Sequence, residues 1–182
     1  MDHSRLVSNI LDSVLSQKHR DIIERRFGIG KDERETLERI GECYGITRER
    51  VRQIENAALA SIRKSDIFLN EQPTLNELSS AIDSLGGIVA EDELMELVSR
   101  DASAQNHMLL LLDLGDAFNK EKEGDEFKSY WYTDSDLQNI VSNGLKNVYK
   151  SLSYDDLVAE QDLLSRFLNE VKDLNKKYRN ED

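Results

Sequence analysis

Arg48, Glu49, Arg50, Arg52 and Gln53 lie side by side and carry the groups with which proteins read base edges. Arginine bonds bidentately to guanine, glutamine pairs similarly with adenine, and glutamate accepts from the cytosine amino group. Val51, Ile54, Ala58 and Ile62 are interleaved with them at spacings of three and four. A helix over this stretch therefore buries one stripe and leaves Arg48, Glu49, Arg52, Gln53 and Asn56 on the other face. Catalytic chemistry is not expected. No Gly-rich phosphate loop precedes a helix, no nucleophile is paired with a base, and the many carboxylates fall where solvation is their ordinary role. A single cysteine, Cys43, excludes an internal disulfide, and His3, His19 and His107 are too scattered for a metal site. No cofactor is expected, and Cys43 reads as a small buried apolar residue rather than a redox sensor.

An arginine-rich run is ordinarily a solvated helix face, so the elements around it decide its meaning. Thr47 is a good N-cap for the helix that carries it, and Gly45 in YGI supplies the positive φ of a tight turn. Before that turn a short helix holds Leu37 and Ile40, capped by Thr36, with Gly41 leaving room for two helices to cross closely. Further upstream, Leu6, Ile10, Val14 and Leu15 recur at helical spacing. Ser16 can cap a second helix that faces Ile22, Ile23 and Phe27 inward and ends at Gly28 and Gly30. Residues 1–65 thus read as four helices closing in a helix-turn-helix.

The run TLERIGECYGITRERVRQIENAALASIR, residues 36–63, resembles region 4 of the sigma-70 family of bacterial transcription initiation factors, and RRFGI at 25–29 resembles the segment before it. The resemblance implies that the last helix binds minus-35-type promoter duplex while the domain docks on the flap of the RNA polymerase beta subunit. Carried over by position, Arg48, Glu49 and Gln53 would face bases, and Arg50 and Arg52 would serve bases or nearby phosphates. Thr47 would join the interface, and Arg26 would hold the backbone. The chain begins only a short helix before this region, so a complete initiation factor is not expected.

A net charge of −12 is unusual for a DNA-binding chain, but it divides unevenly. Residues 1–65 carry 13 Lys+Arg against 11 Asp+Glu, and residues 66–182 carry 11 against 25. Phosphate neutralisation needs clustered cations, so the halves are expected to have different partners. Pro73, the one proline, falls at this change, which gives a linker over 66–73. With 33% charged and 38% hydrophobic residues the chain should fold. No apolar run approaches the ~18 residues needed to cross a bilayer, so no membrane partner is expected and a cytoplasmic location is.

Residues 74–133 read as a small winged helix. Thr74 and Glu77 form a T-x-x-E capping box before Leu75, Leu78, Ile82 and Leu85, and Gly86-Gly87 stops that helix. A brief Ile88-Val89 strand follows, then a helix from about Glu91 burying Leu94, Leu97 and Val98, and a leucine-dense helix near 104–114. FNKEKEGDEFKSYWYTD places two polar-aromatic segments around a Gly124 turn, a hairpin signal. LGGIVAEDEL, LLDLGDAF and SYWYT resemble the HARE-HTH domain, the winged-helix family that includes the delta subunit of bacterial RNA polymerase. Residues 66–133 hold 4 Lys+Arg against 15 Asp+Glu, and QNHMLLLLDLG has neither Lys nor Arg. Direct phosphate binding by this unit is therefore not expected, and a protein partner fits the charge better. Residues 134–182 form a helical extension, with helices starting at Asp134 or Ser135 and at Ser153 and a frayed KDLNKKYRNED end.

The chain is thus expected to be mainly α, a helix-turn-helix unit followed by an acidic winged helix and C-terminal helices. Its expected function is that of a transcription regulator reading promoter-type duplex DNA and contacting RNA polymerase. The alternative is a polymerase-associated interaction protein, delta-like or sigma-mimicking, that does not read DNA sequence.

Overall fold

The computed structural model describes residues 3–31, 33–125, 127–153, 157–172 and 174. Helix α1 (His3–Val14) buries Val7, Ile10 and Leu11. Ser16 opens α2 (Gln17–Phe27), its hydroxyl accepting from the His19 amide at 3.4 Å, and Gly28 closes it in the left-handed region. Ile22 and Ile23 are fully buried, with Phe27 half-buried at their edge. Thr36 opens α3 (Leu37–Tyr44), Gly45 closes it at φ +63°, and Thr47 opens α4 (Arg48–Arg63). The stretch 66–73 is helical for most of its length. Ser65 caps the single turn α5 (Asp66–Leu69), whose Phe68 is buried, and α6 (Gln72–Ser84) follows at once.

The capping box expected at Thr74 does not open α6. Pro73 lies in the helix's first turn, where its fixed φ and missing N–H are tolerated, and the cap position falls at Glu71. Thr74 is instead buried inside that turn, donating to Glu71 Oε2 at 3.1 Å. The chain continues through β1 (Ile88–Ala90), α7 (Glu91–Val98), α8 (Ala102–Leu114), β2 (Asn119–Glu121) and β3 (Tyr130–Tyr132). The strands form one antiparallel sheet in the order β1-β3-β2, with Trp131 paired to Val89 on one side and Lys120 on the other. Trp131 is buried, its indole N–H donates to Glu91 Oε2 at 2.9 Å, and Lys120 lies over its ring and pairs with the same carboxylate. Between β2 and β3 the Gly124 amide donates to the Phe127 carbonyl at 3.0 Å. In α7, Leu94 and Met95 are buried while Leu97, expected inside, is 61% exposed.

Asp134 caps α9 (Ser135–Lys150) by accepting from the Asp136 and Leu137 amides. The last helix among the described residues, α10 (Glu160–Glu170), begins later than Ser153, with its cap position at Ala159. The two pack together at Gly144, where an added Cβ would come within 2.8 Å of Val171 Cγ1. Most of the terminal stretch expected to fray, Asp173 and residues 175–182, lies outside the described residues.

Two clusters make the core. Ile22, Ile40, Val51 and Ile54 tie α2, α3 and α4 into the helix-turn-helix. The larger cluster runs without a break from Val7, Ile10 and Leu11 through Ala58, Leu59 and Ile62 to Met108–Leu112, Val89 and Trp131. Its centre is α8, which packs on α1, α2 and α4. A helix with Met108, Leu109, Leu110, Leu111 and Leu112 in succession is apolar on every side and must be covered on every side. Polar contacts edge the same seam. Arg63 donates from Nε to the Leu114 carbonyl (3.1 Å) and from Nη2 to that of Asp113 (2.5 Å). Asn106 donates to the Gly28 carbonyl (3.1 Å) and accepts from Arg34 Nε (3.0 Å). No helix among the described residues is long and apolar enough to cross a membrane.

Candidate nucleic-acid interface

The helix-turn-helix is held by local contacts. Thr47 Oγ1 accepts from the Arg50 amide at 3.2 Å, which satisfies one of the free amides at the head of α4. The turn folds back so closely that the Ile46 amide donates to the Gly41 carbonyl at 2.9 Å. A Cβ on Gly41 would sit 2.6 Å from the Ile46 carbonyl oxygen. The space that Gly41 leaves is taken by the backbone of the turn and the head of α4, which lets α3 and α4 meet closely as the sequence implies.

Packing Val51, Ile54, Ala58 and Ile62 inward turns Arg48, Glu49, Arg50, Arg52 and Gln53 to solvent as one group. The Arg48 side chain is 68% exposed and that of Arg52 53%, so the described residues of the acidic second half do not cover them. Glu49 accepts two hydrogen bonds from Arg52, from Nε at 2.9 Å and Nη2 at 2.8 Å. These hold its carboxyl below the ordinary carboxylate range. Arg50 Nη1 donates to Gln53 Oε1 at 3.1 Å, and Arg48 Nη1 lies 3.0 Å from Glu38 Oε1 of α3. Beyond Gln53 the open face carries Asn56, Ala57 and Ser61. Its long polar side chains are thus confined to the first two turns, the part of such a helix that reaches base edges.

Arg26 is placed apart from this group. Its Nη1 donates to the Glu35 carbonyl at 2.6 Å and its Nε to Glu55 Oε1 at 3.2 Å, so it clamps α2 to the segment entering α3 and to α4. Beside it, Asp21 accepts from the Tyr44 hydroxyl and Arg25 Nε, both at 2.6 Å, and from Lys31 at 3.3 Å. Burial would raise the Asp21 carboxyl, but these hydrogen bonds outweigh it and hold the group below its usual value. Two residues that sequence reasoning passed over join the open face from α3. Glu38 reaches Arg48, and Arg39 is 71% exposed with its Nε 3.6 Å from Glu35 Oε2. Their signal was position, one turn or less into the helix that leads the turn. Cys43, expected to be buried, is exposed, because α3 turns Ile40 and Gly41 inward and leaves position 43 on its outer side. Among the described residues no group of three or more potential ligands could hold a metal ion.

Comparison with known proteins bears on this unit. Residues 13–64 match the family Sigma-70, region 4. The chain is 39% identical over 71 residues to the RNA polymerase sigma factor RpoS of Coxiella burnetii, covering 35% of this chain and 20% of that protein. It is 44% identical over 57 residues to SigA of Microcystis aeruginosa, covering 31% of this chain and 14% of the relative. Against the chloroplastic sigma factor sigF of Arabidopsis thaliana it is 48% identical over 59 residues, 32% of this chain and 11% of the relative. The chain therefore spans a fifth or less of the length of these relatives, and the family match ends at residue 64, just past α4.

Proposed function

We propose that this protein is a transcription regulator whose region 4 segment reads promoter-type, minus-35-like duplex DNA and contacts RNA polymerase, without catalysing a reaction. The observation that carries the reading is the open face of α4. Arg48, Glu49, Arg50, Arg52 and Gln53 stand exposed over the first two turns of a helix set by Thr47 and backed by α3. Those groups match the donors and acceptors of the major groove, and the matched relatives are RNA polymerase sigma factors. Arg26 supports this face by fixing α2 against α4. Residues 74–133 act as a winged helix of the HARE-HTH kind. Their order of helix, strand, two helices and two strands, closed as β1-β3-β2, supports that assignment. This unit contacts protein rather than DNA, because α8, the helix that would enter a groove, is buried and lacks Lys and Arg.

Selection of bound fragments from random duplex DNA, with and without core polymerase, tests the proposal. A recovered consensus is expected. Gln53→Ala and Arg52→Ala are expected to weaken binding to it roughly ten-fold or more, with affinity falling as salt rises. Unchanged binding in both variants would overturn the reading. The acidic balance of residues 66–182 favours a second function, docking on polymerase without reading sequence. That function predicts polymerase retention that survives Arg48→Ala and Arg52→Ala, and loss of retention in those variants would count against it.

A further inference from the structure

Helix α10 has α9 as its packing partner, and none of its own eleven residues is buried. Its apolar stripe is wider than one neighbour can cover. Leu163 and Phe167 are half-buried, while Leu164, one position further round the helix, is 56% exposed. In α9 the pattern repeats: Val148 is buried, whereas Leu145 and Tyr149 stand open, Tyr149 at 79%. Between the two helices runs a groove of about 760 Å³, walled by Leu145, Tyr149, Leu152, Leu163, Leu164 and Phe167. A two-helix hairpin leaves such stripes in water, and four helices around one core close them.

Charge identifies what covers the groove. The acidity of the second half is concentrated in residues 66–133, with 4 Lys+Arg against 15 Asp+Glu, whereas residues 134–182 carry 7 against 10. The groove thus lies in the part of that half which another copy can approach with little repulsion. Its rim carries both signs. Lys150 ends α9, Glu160 begins α10, both line the groove, and neither forms an ion pair among the described residues. A partner of a single sign would meet its like at one of them. A second copy, turned by a two-fold axis running along the hairpin, sets α9 against the other copy's α10. Lys150 of each copy then faces Glu160 of the other, and every neighbouring pair of helices is antiparallel.

We propose that α9 and α10 form the seam of a homodimer, in which two hairpins close as a four-helix bundle around Leu145, Tyr149, Leu164 and Phe167. The apolar walls supply the affinity, and the Lys150–Glu160 pairs fix which helix meets which. This pairing is independent of DNA reading and is expected whether or not a duplex is selected.

Sedimentation of the full chain over a dilution series through the micromolar range tests the seam. The unaltered chain is expected to pass from dimer to monomer on dilution with no larger species, because a two-fold seam closes on itself. Leu164→Asp places a carboxylate in the seam and is expected to weaken the dimer at least about thirty-fold. Its circular dichroism should be unchanged, since the position is open in the single chain. Lys150→Glu and Glu160→Lys should each weaken the dimer roughly ten-fold, symmetry counting each pair twice. Combined, they should restore it to within about three-fold of the unaltered chain, a recovery that damage to folding would not give. A monomer at every concentration, a dimer indifferent to Leu164→Asp, or charge reversals that fail to compensate would each overturn the inference.

Discussion

Gly41 presents only hydrogen where any other residue would drive a carbon to within 2.6 Å of the Ile46 carbonyl. That oxygen belongs to the backbone of the turn, so relief requires moving the turn and, with it, the head of α4. Gly41→Ala is expected to cost about 1–3 kcal/mol in urea denaturation and to abolish DNA binding at temperatures where the variant is still folded. Tyr44 gives a second residue-scale test. Its hydroxyl donates to Asp21 at 2.6 Å, and burial, together with that bond and the adjacent negative charge, pushes its pKa up to about 12. The folded value lies above the ordinary value of about 10. The stabilisation is therefore complete below pH 10 and is lost as pH rises through 12. The wild type should exceed Tyr44→Phe in stability by about 1 kcal/mol near pH 8, and the gap should close between pH 10 and 12. A gap constant across that range would show that the hydroxyl bond contributes nothing. On the acid side the Asp21 carboxyl is held low, so its contribution is present above about pH 4 and lost as pH falls through the folded value. At this scale the sequence was most informative where the physics is local. Ser16, Thr36, Thr47 and Gly45 act within three residues of themselves, and each stands where its type requires. Arg26 could not be placed the same way, because its partners Glu35 and Glu55 come from other elements.

Helices whose ends carry capping residues and whose stripes are clean were legible as elements, α2, α3, α4 and α9 among them. The misplaced starts were those of α6 and α10. Thr74 offers a cap, but Pro73 fits the first turn of a helix already under way. Ser153 has the cap chemistry, yet α10 opens at Ala159, which has none. A capping side chain contributes only about 1 kcal/mol, so burial of the helix face can set the start elsewhere. The end of α8 shows a cap that no local reading could supply. Its last carbonyls, which have no partner within the helix, receive the Arg63 guanidinium from the far end of α4. Arg63→Met should lower stability by about 1–3 kcal/mol and speed amide exchange over the last turn of α8. Arg63→Lys should recover only part of this, because a single ammonium group cannot reproduce the two-pronged contact. Equal stability of all three proteins would mean that water replaces the guanidinium at no cost.

Taken whole, the chain joins a nearly neutral helix-turn-helix unit to a strongly acidic one, and the charge asymmetry that separates them in sequence does not separate their interiors. Composition showed the change near residue 65 because charge is a surface property. The leucine run of α8 announced burial on all sides but not the surface that would provide it, since apolar contacts carry no address. That surface is the helix-turn-helix unit itself: Val7, Ile10, Leu11, Ala58, Leu59 and Ile62 share one cluster with Met108–Leu112 and Trp131. A shared core makes the two halves fold as one. Leu110 is fully buried at this junction, and Leu110→Ala should cost about 2–5 kcal/mol, depending on how far the cavity collapses. Trp131 fluorescence reports the sheet, and amide exchange along α4 reports the helix-turn-helix. Both should lose protection in a single transition and shift together in the variant. If Trp131 were released while α4 kept its wild-type protection, the halves would be separate folding units. The acidic unit would then be a tethered neighbour of the helix-turn-helix rather than part of the wall that holds α4 in place.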